Sequence, residues 1–194
     1  MRGTKIAWIA GAMALATAWM AGPAKAEMTP DGLHTQPWFL QSFLDLKEDR
    51  QEAADKGKSF AIIWEQKGCP YCRETYLVNF AVPEIRDYVK KNFVVLQINM
   101  RGAREVTDFS GTVLSESAAA RKFGVRFTPT VTFLGPGMKD DGKTARMTGY
   151  FRPFHFLMGF MYVHEKAYTK ESFKSFIARK TAERKKAGKP VTFR

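Results

Sequence analysis

Two cysteines separated by two residues, Cys69-Pro70-Tyr71-Cys72, sit where an apolar run meets a helical pattern, and this junction constrains the fold more than any other feature of the chain. Ser59-Phe60-Ala61-Ile62-Ile63-Trp64 is short and almost continuously apolar, as expected of a strand buried on both faces. From Cys69 the periodicity is helical through Tyr76, Leu77 and Phe80, and Pro83 restarts a second helical stretch to Lys91. Phe93-Val94-Val95-Leu96-Gln97-Ile98 repeats the buried-strand pattern. Strand, crossover helix and strand predict a parallel pair and an α/β domain.

The flanking segments complete this unit. Trp38, Leu40, Phe43, Leu44 and Leu46 recur at helical spacing and run into the charged stretch Lys47 to Lys58, which predicts one amphipathic N-terminal helix ending at Gly57. Arg101 to Thr112 reads as a polar loop and Ser115 to Phe123 as a short helix stopped by Gly124. Thr130 to Leu134 reads as a strand behind Pro129. Turn residues from Gly135-Pro136-Gly137 to Asp141-Gly142 then lead to an antiparallel partner over Thr144 to Tyr150. Phe154 to Tyr168 and Glu171 to Lys180 read as closing helices.

A length of 194 residues suits one domain with extensions. Arg2 and Lys5 precede the apolar run Ile6 to Gly22, and Ala24-Lys25-Ala26 has the small-x-small form of a signal-peptidase site. The expected organisation is a signal peptide over 1–26, a domain over 27–180 and a basic tail over 181–194, with the mature protein in the periplasm. An uncut membrane anchor is the alternative, and it too leaves the domain outside the cytoplasm. Cleavage removes Arg2, Lys5 and Lys25 and no acid, taking the net charge from +12 to +9. Residues 178–194 carry seven Lys/Arg against Glu183, so the body is close to balanced. Export argues against a nucleic-acid partner for that tail, which reads as a solvated C-terminus.

Thiols at i and i+3 on a helix start are close enough to form a small disulfide ring. Cys69, at the helix mouth, faces unpaired backbone N–H groups and the positive end of the dipole, both of which favour thiolate. It is the expected nucleophile, and the more shielded Cys72 the expected resolving thiol. A purely structural disulfide would stabilise little across so short a loop. A zinc site needs two more ligands, and His34, His155 and His164 are not spaced to supply them; no metal and no cofactor beyond the dithiol are expected. A Cys-His nucleophile pair leaves the second cysteine unexplained.

Glu65-Gln66-Lys67-Gly68-Cys69-Pro70-Tyr71-Cys72, Glu105-Val106-Thr107-Asp108-Phe109, Ala120-Arg121-Lys122-Phe123-Gly124-Val125-Arg126-Phe127-Thr128-Pro129-Thr130 and Gly149-Tyr150-Phe151-Arg152-Pro153-Phe154-His155-Phe156 resemble the SoxW-type periplasmic thioredoxins. The resemblance runs from about Trp38 to Phe176. It implies a thioredoxin fold: a central mixed sheet flanked by helices, with an N-terminal helix and extended C-terminal helices. It further implies that Pro129 is a cis-proline facing the dithiol and that the Thr128 backbone pairs with substrate peptide. The implied activity is reduction of disulfides in periplasmic thiol proteins, such as those of sulfur oxidation or cytochrome c maturation. The implied reductant is an integral-membrane thiol transporter, and the expected state is a monomer.

Two positions depart from ordinary thioredoxins. Gly68 stands where they commonly place Trp, which opens the lip of the site. Ile63 stands where they have a buried Asp, so the proton that Cys72 must lose needs another acceptor. Glu65, two residues along the strand and on the same face, is the candidate, unless it is a solvent-facing strand end. Three other readings remain open. CPYC also occurs in glutaredoxins, which lack a leader and a loop like 101–112. A disulfide-forming oxidase differs in reduction potential, which sequence does not give. A thioredoxin-fold chaperone would bind unfolded chains through Phe151, Phe154, Phe156 and Tyr162, residues that equally suit a helix core.

Overall fold

The apolar run that begins at Ser59 forms a fully buried strand, and the rest of the domain is layered on it. The computed structural model describes residues 27–135, 138–139 and 141–193. The expected leader over 1–26 and part of the turn at 135–142 lie outside the described residues. A two-residue pairing, β1 (Glu27–Met28) with β2 (His34–Thr35), precedes α1 (Leu46–Asp55), β3 (Ser59–Glu65), α2 (Pro70–Glu74), α3 (Pro83–Asn92) and β4 (Phe93–Asn99). Then come β5 (Glu105–Thr107), β6 (Val113–Ser115), α4 (Glu116–Lys122), β7 (Thr130–Phe133), β8 (Arg146–Thr148), α5 (Pro153–His164) and α6 (Phe173–Lys186).

The central sheet has the order β4-β3-β7-β8, with β3 parallel to β4 and the other pairings antiparallel. Because strand side chains alternate, β3 feeds two cores. Ala61 and Ile63 join Val95, Val131, Tyr76, Phe80 and the α5 and α6 residues on one face. Phe60, Ile62 and Trp64 join Leu96, Ile98, Ala119 and Leu46 on the other. The buried Trp64 indole donates to Thr132 Oγ1 at 3.0 Å, which satisfies the polar atom that this large side chain brings inside.

The N-terminal helix is shorter than its apolar spacing predicts. It starts at Leu46, where Asp45 caps the backbone N–H groups of Lys47 and Glu48. Residues 38–44 are extended and turned, because their side chains serve both cores: Trp38 and Phe39 pack with the α5 face, Leu40 and Leu44 with the α1 face. One helix stripe could not reach both. Leu44 takes a left-handed φ of 66°, and Phe43 is left fully exposed.

Two further expectations are corrected. The polar loop 101–112 contains β5, which pairs with β6 and puts only Val106 into the core. The last helix runs to Lys186 rather than Lys180, and the C-terminal segment is not simply solvated. Arg184 is buried, donating to both Glu84 carboxylate oxygens at 2.6 and 3.0 Å and to the Pro190 carbonyl at 2.8 Å, while Val191 and Phe193 pack against the core. The aromatic stripe is core as well: Phe154 and Phe156 are buried, and Phe151 and Tyr162 pack against them, so they offer no open chaperone surface.

Candidate active site

At the C-terminal end of β3 the chain turns through Gln66, Lys67 and Gly68 into α2. Gly68 has φ 73°, a region that L side chains avoid, and a Cβ there would meet no atom within 4 Å. The turn therefore demands glycine, and the lip beside the cysteines is open, as expected. Cys69 is the N-cap of α2 and Pro70 its first residue, where a missing N–H costs nothing. Cys69 Sγ accepts the Cys72 backbone N–H at 3.1 Å. The two cysteines form a disulfide with a Cα–Cα separation of 5.2 Å. Cys69 is 9% exposed and Cys72 1%, so the residue at the helix mouth is the less enclosed of the two.

The loop before β7 closes the other side. The Thr128-Pro129 peptide is cis, Thr128 Oγ1 donates to Cys69 Sγ at 3.3 Å, and the Thr128 carbonyl oxygen lies 3.6 Å from the same sulfur. Tyr71 is exposed and stacks on Tyr150, with ring centroids 6.1 Å apart and planes tilted by 19°. The Tyr150 hydroxyl donates to Asn79 Oδ1 at 3.3 Å, and Asn79 Nδ2 donates to the Phe151 carbonyl at 2.9 Å. Asn79 ends a π-helical turn, Thr75–Asn79, that continues α2. Phe127, directly before Thr128 in the chain, is exposed.

Beneath this surface lies Glu65, with no exposed area. The alternative of a solvent-facing strand end is thus excluded. Burial pushes its carboxyl up to about 8, against hydrogen bonds that favour the charged form. Those bonds come from the Tyr76 hydroxyl to Oε1 and from Gln97 Nε2 to Oε2 at 3.1 Å. Gln97 Nε2 also donates to the His34 carbonyl, which ties the N-terminal segment over the buried acid. Tyr76, four residues beyond Cys72, is itself held well above its ordinary pKa by burial and the Glu65 charge. None of the three histidines joins the cysteines, and among the described residues no group of three or more His, Cys, Asp or Glu side chains could hold a metal ion.

A strand, a CxxC helix start, a facing cis-proline and a mixed four-stranded sheet coincide here, and the family model for the thioredoxin-like domain matches residues 46–163. The chain belongs to the thioredoxin-like family. Among solved structures it is similar to a thioredoxin-fold protein from Helicobacter pylori, with 22% identity, a TM-score of 0.54, and coverage of 64% of this chain and 85% of that one. Thioredoxin O2 from Arabidopsis thaliana in its oxidised state matches at 17% identity and a TM-score of 0.41, covering 66% of this chain and 90% of its own. No curated protein matches the chain. The α/β architecture expected from the sequence, a mixed sheet flanked by helices, is the thioredoxin fold observed.

Within this thioredoxin-like site the structure brings together Cys69, Pro70, Cys72, Thr128 and Pro129, with Gly68 and Tyr71 at the rim and Glu65 below. Sequence reasoning missed Tyr150, Asn79, Tyr76 and Gln97. Two of these had a legible signal: Gln97 is the one polar residue in the apolar run 93–98, and Tyr76 lies one turn from Cys72 on the same helix face.

Proposed function

We propose that the protein is an exported thiol-disulfide oxidoreductase that works as a reductant of other proteins. The observation that carries this reading is the asymmetry of the two cysteines: Cys69 lies at the helix mouth against Thr128 and keeps some exposure, while Cys72 is enclosed one turn further in. In the reduced protein the Cys69 thiolate attacks one sulfur of a client disulfide. The client S–S bond breaks, a mixed disulfide forms, and the first client thiolate leaves and takes a proton from water. Cys72 then gives up its proton and attacks Cys69 Sγ, and the second client thiolate is expelled. That second thiolate takes up the proton that Cys72 released; two electrons have passed to the client, and the Cys69–Cys72 disulfide remains.

Glu65 is the proposed acceptor for the Cys72 proton. A carboxyl poised at about 8 is matched to a thiol whose unperturbed pKa is about 8.5, which is the condition for efficient proton transfer. Thr128 and Pro129 supply the edge against which the client backbone pairs. The blocks resembling SoxW-type proteins support periplasmic thiol proteins of sulfur oxidation as clients and an integral-membrane thiol transporter as electron donor. The leader pattern supports a periplasmic location. The protein acts as a monomer with no cofactor beyond its dithiol.

Equilibration of the dithiol against dithiothreitol and glutathione tests the direction. A reductase should show a potential near roughly −270 mV, whereas a value near roughly −120 mV would make the protein a disulfide-forming oxidase.

A further inference from the structure

The segments that carry the disulfide and its facing loop are rich in exposed basic side chains. Elsewhere several basic side chains are paired with acids: Arg184 with Glu84, Lys122 with Asp108, Arg104 with Glu116, Arg179 with Glu171 and Glu183. Around Cys69 they are not. Lys67 precedes it by two residues, and the Arg73 backbone N–H donates to the Cys69 carbonyl at 3.2 Å. Arg126 lies two residues before Thr128, and Arg152 two residues after Tyr150, whose hydroxyl feels its charge. All four are exposed, and among the described residues none is in an ion pair. Arg101, bonded through Nε to the neutral Gln66 side chain at 2.6 Å, extends the same rim. The nearby acids are Glu74, partly buried beside Tyr150, and Asp31, which accepts from Asn99 and lies in the field of Arg104.

The same segments carry exposed aromatic side chains. Tyr71 is held by Tyr150 and through it by Asn79, and Phe127 is an exposed ring directly before Thr128 in the chain. A client disulfide that docks against Cys69 and Thr128 therefore meets exposed aromatic side chains and unpaired positive charge on the segments next to them. We infer that the rim selects clients whose disulfide is flanked by aspartate or glutamate, with an apolar side chain next to the cysteine to lie against Tyr71 and Phe127. The acidic flanks approach Arg73, Arg126 and Arg152 in the encounter complex and accelerate formation of the mixed disulfide, while the exchange chemistry itself is unchanged. This specificity rests on the oxidoreductase reading above, which could hold with no charge preference at all.

Two synthetic peptides with one intramolecular disulfide and an adjacent Leu, differing only in flanking Glu or Lys, test it. Single-turnover reduction by the dithiothreitol-reduced protein is measured after removal of excess reductant, and each rate is divided by that for free dithiothreitol to cancel intrinsic reactivity. The Glu peptide should react about tenfold or more faster at low salt, with the ratio collapsing toward one at about 0.5 M NaCl, because steering of this kind is screened. The double variant Arg126→Glu, Arg152→Glu should reverse the preference. Equal normalised rates for the two peptides, or a preference indifferent to salt, would overturn the inference and leave the redox reading standing. Equal rates together with binding to phosphatidylglycerol vesicles that the double variant loses would reassign the rim to an anionic lipid surface and overturn client selection. Failure to reduce either peptide, and also neutral hydroxyethyl disulfide, would overturn the oxidoreductase reading and this one with it.

Discussion

Replacing Glu65 with Gln removes one ionisable group from a position without solvent contact, and the consequence for stability follows from the pKa alone. In the folded protein burial lifts the carboxyl from 4.5 to about 8. An unfolded chain returns it to the ordinary value. Between those two pH values the folded state holds a proton that the unfolded state has released, so stability falls as pH rises. Each pH unit in that window costs about 1.4 kcal/mol, and the whole contribution, complete below the unfolded pKa and lost through the folded one, is roughly 5 kcal/mol. The Gln variant lacks this slope. Asp49, raised to about 6 mainly by burial, titrates in both proteins and cancels in their difference. Urea unfolding of the oxidised forms, in which neither cysteine titrates, from about pH 5 to 9.5 measures it. The parent-minus-variant difference should decline steadily to about pH 8 and then level, with the variant the more stable at alkaline pH. Parallel profiles would refute the assignment of a raised pKa to Glu65. In turnover, the same substitution should slow attack by Cys72 on the mixed disulfide about 10²-fold while leaving the first attack by Cys69 almost unaffected.

Two other substitutions probe the surroundings. Tyr76→Phe removes a hydroxyl that favours the charged carboxylate, so the alkaline end of the Glu65 titration should move above about pH 8 in the same urea series; an unmoved or lowered end point would count against that bond. Arg184→Ala should cost about 1–3 kcal/mol by thermal unfolding, because it strands Glu84 and frees the segment carrying Phe193. An unchanged Tm would restore the solvated tail.

The parts legible in the sequence are those whose chemistry is local. β3 and β4 announce themselves as unbroken apolar runs, α4 by its cap and Gly124, and the CxxC unit by a strand ending where a proline-led helix begins. What was hidden depends on partners distant in the chain. Nothing near Trp38 or Leu44 says that they belong to opposite cores, so their spacing imitates a helix. Arg184 reads as one more tail cation because its acid lies 100 residues earlier. Strand β5 has a single inward side chain, Val106, too few to show a period. At the site, Glu65 could be named but not ranked, since its burial depends on Tyr76, Gln97 and the N-terminal segment closing over it. The stacking of Tyr71 on Tyr150 joins the first turn of α2 to the segment before α5, which only the completed sheet brings together.

The central claim is that Cys69 attacks and Cys72 resolves, and Cys72→Ser tests it most directly. With the resolving thiol gone, the reduced variant should accumulate a mixed disulfide with a protein disulfide substrate, and peptide mapping should place the bond at Cys69. In the parent, alkylation near neutral pH should label Cys69 well before Cys72. Labelling that favours Cys72, or a Cys72→Ser protein that traps nothing while Cys69→Ser does, would contradict the account.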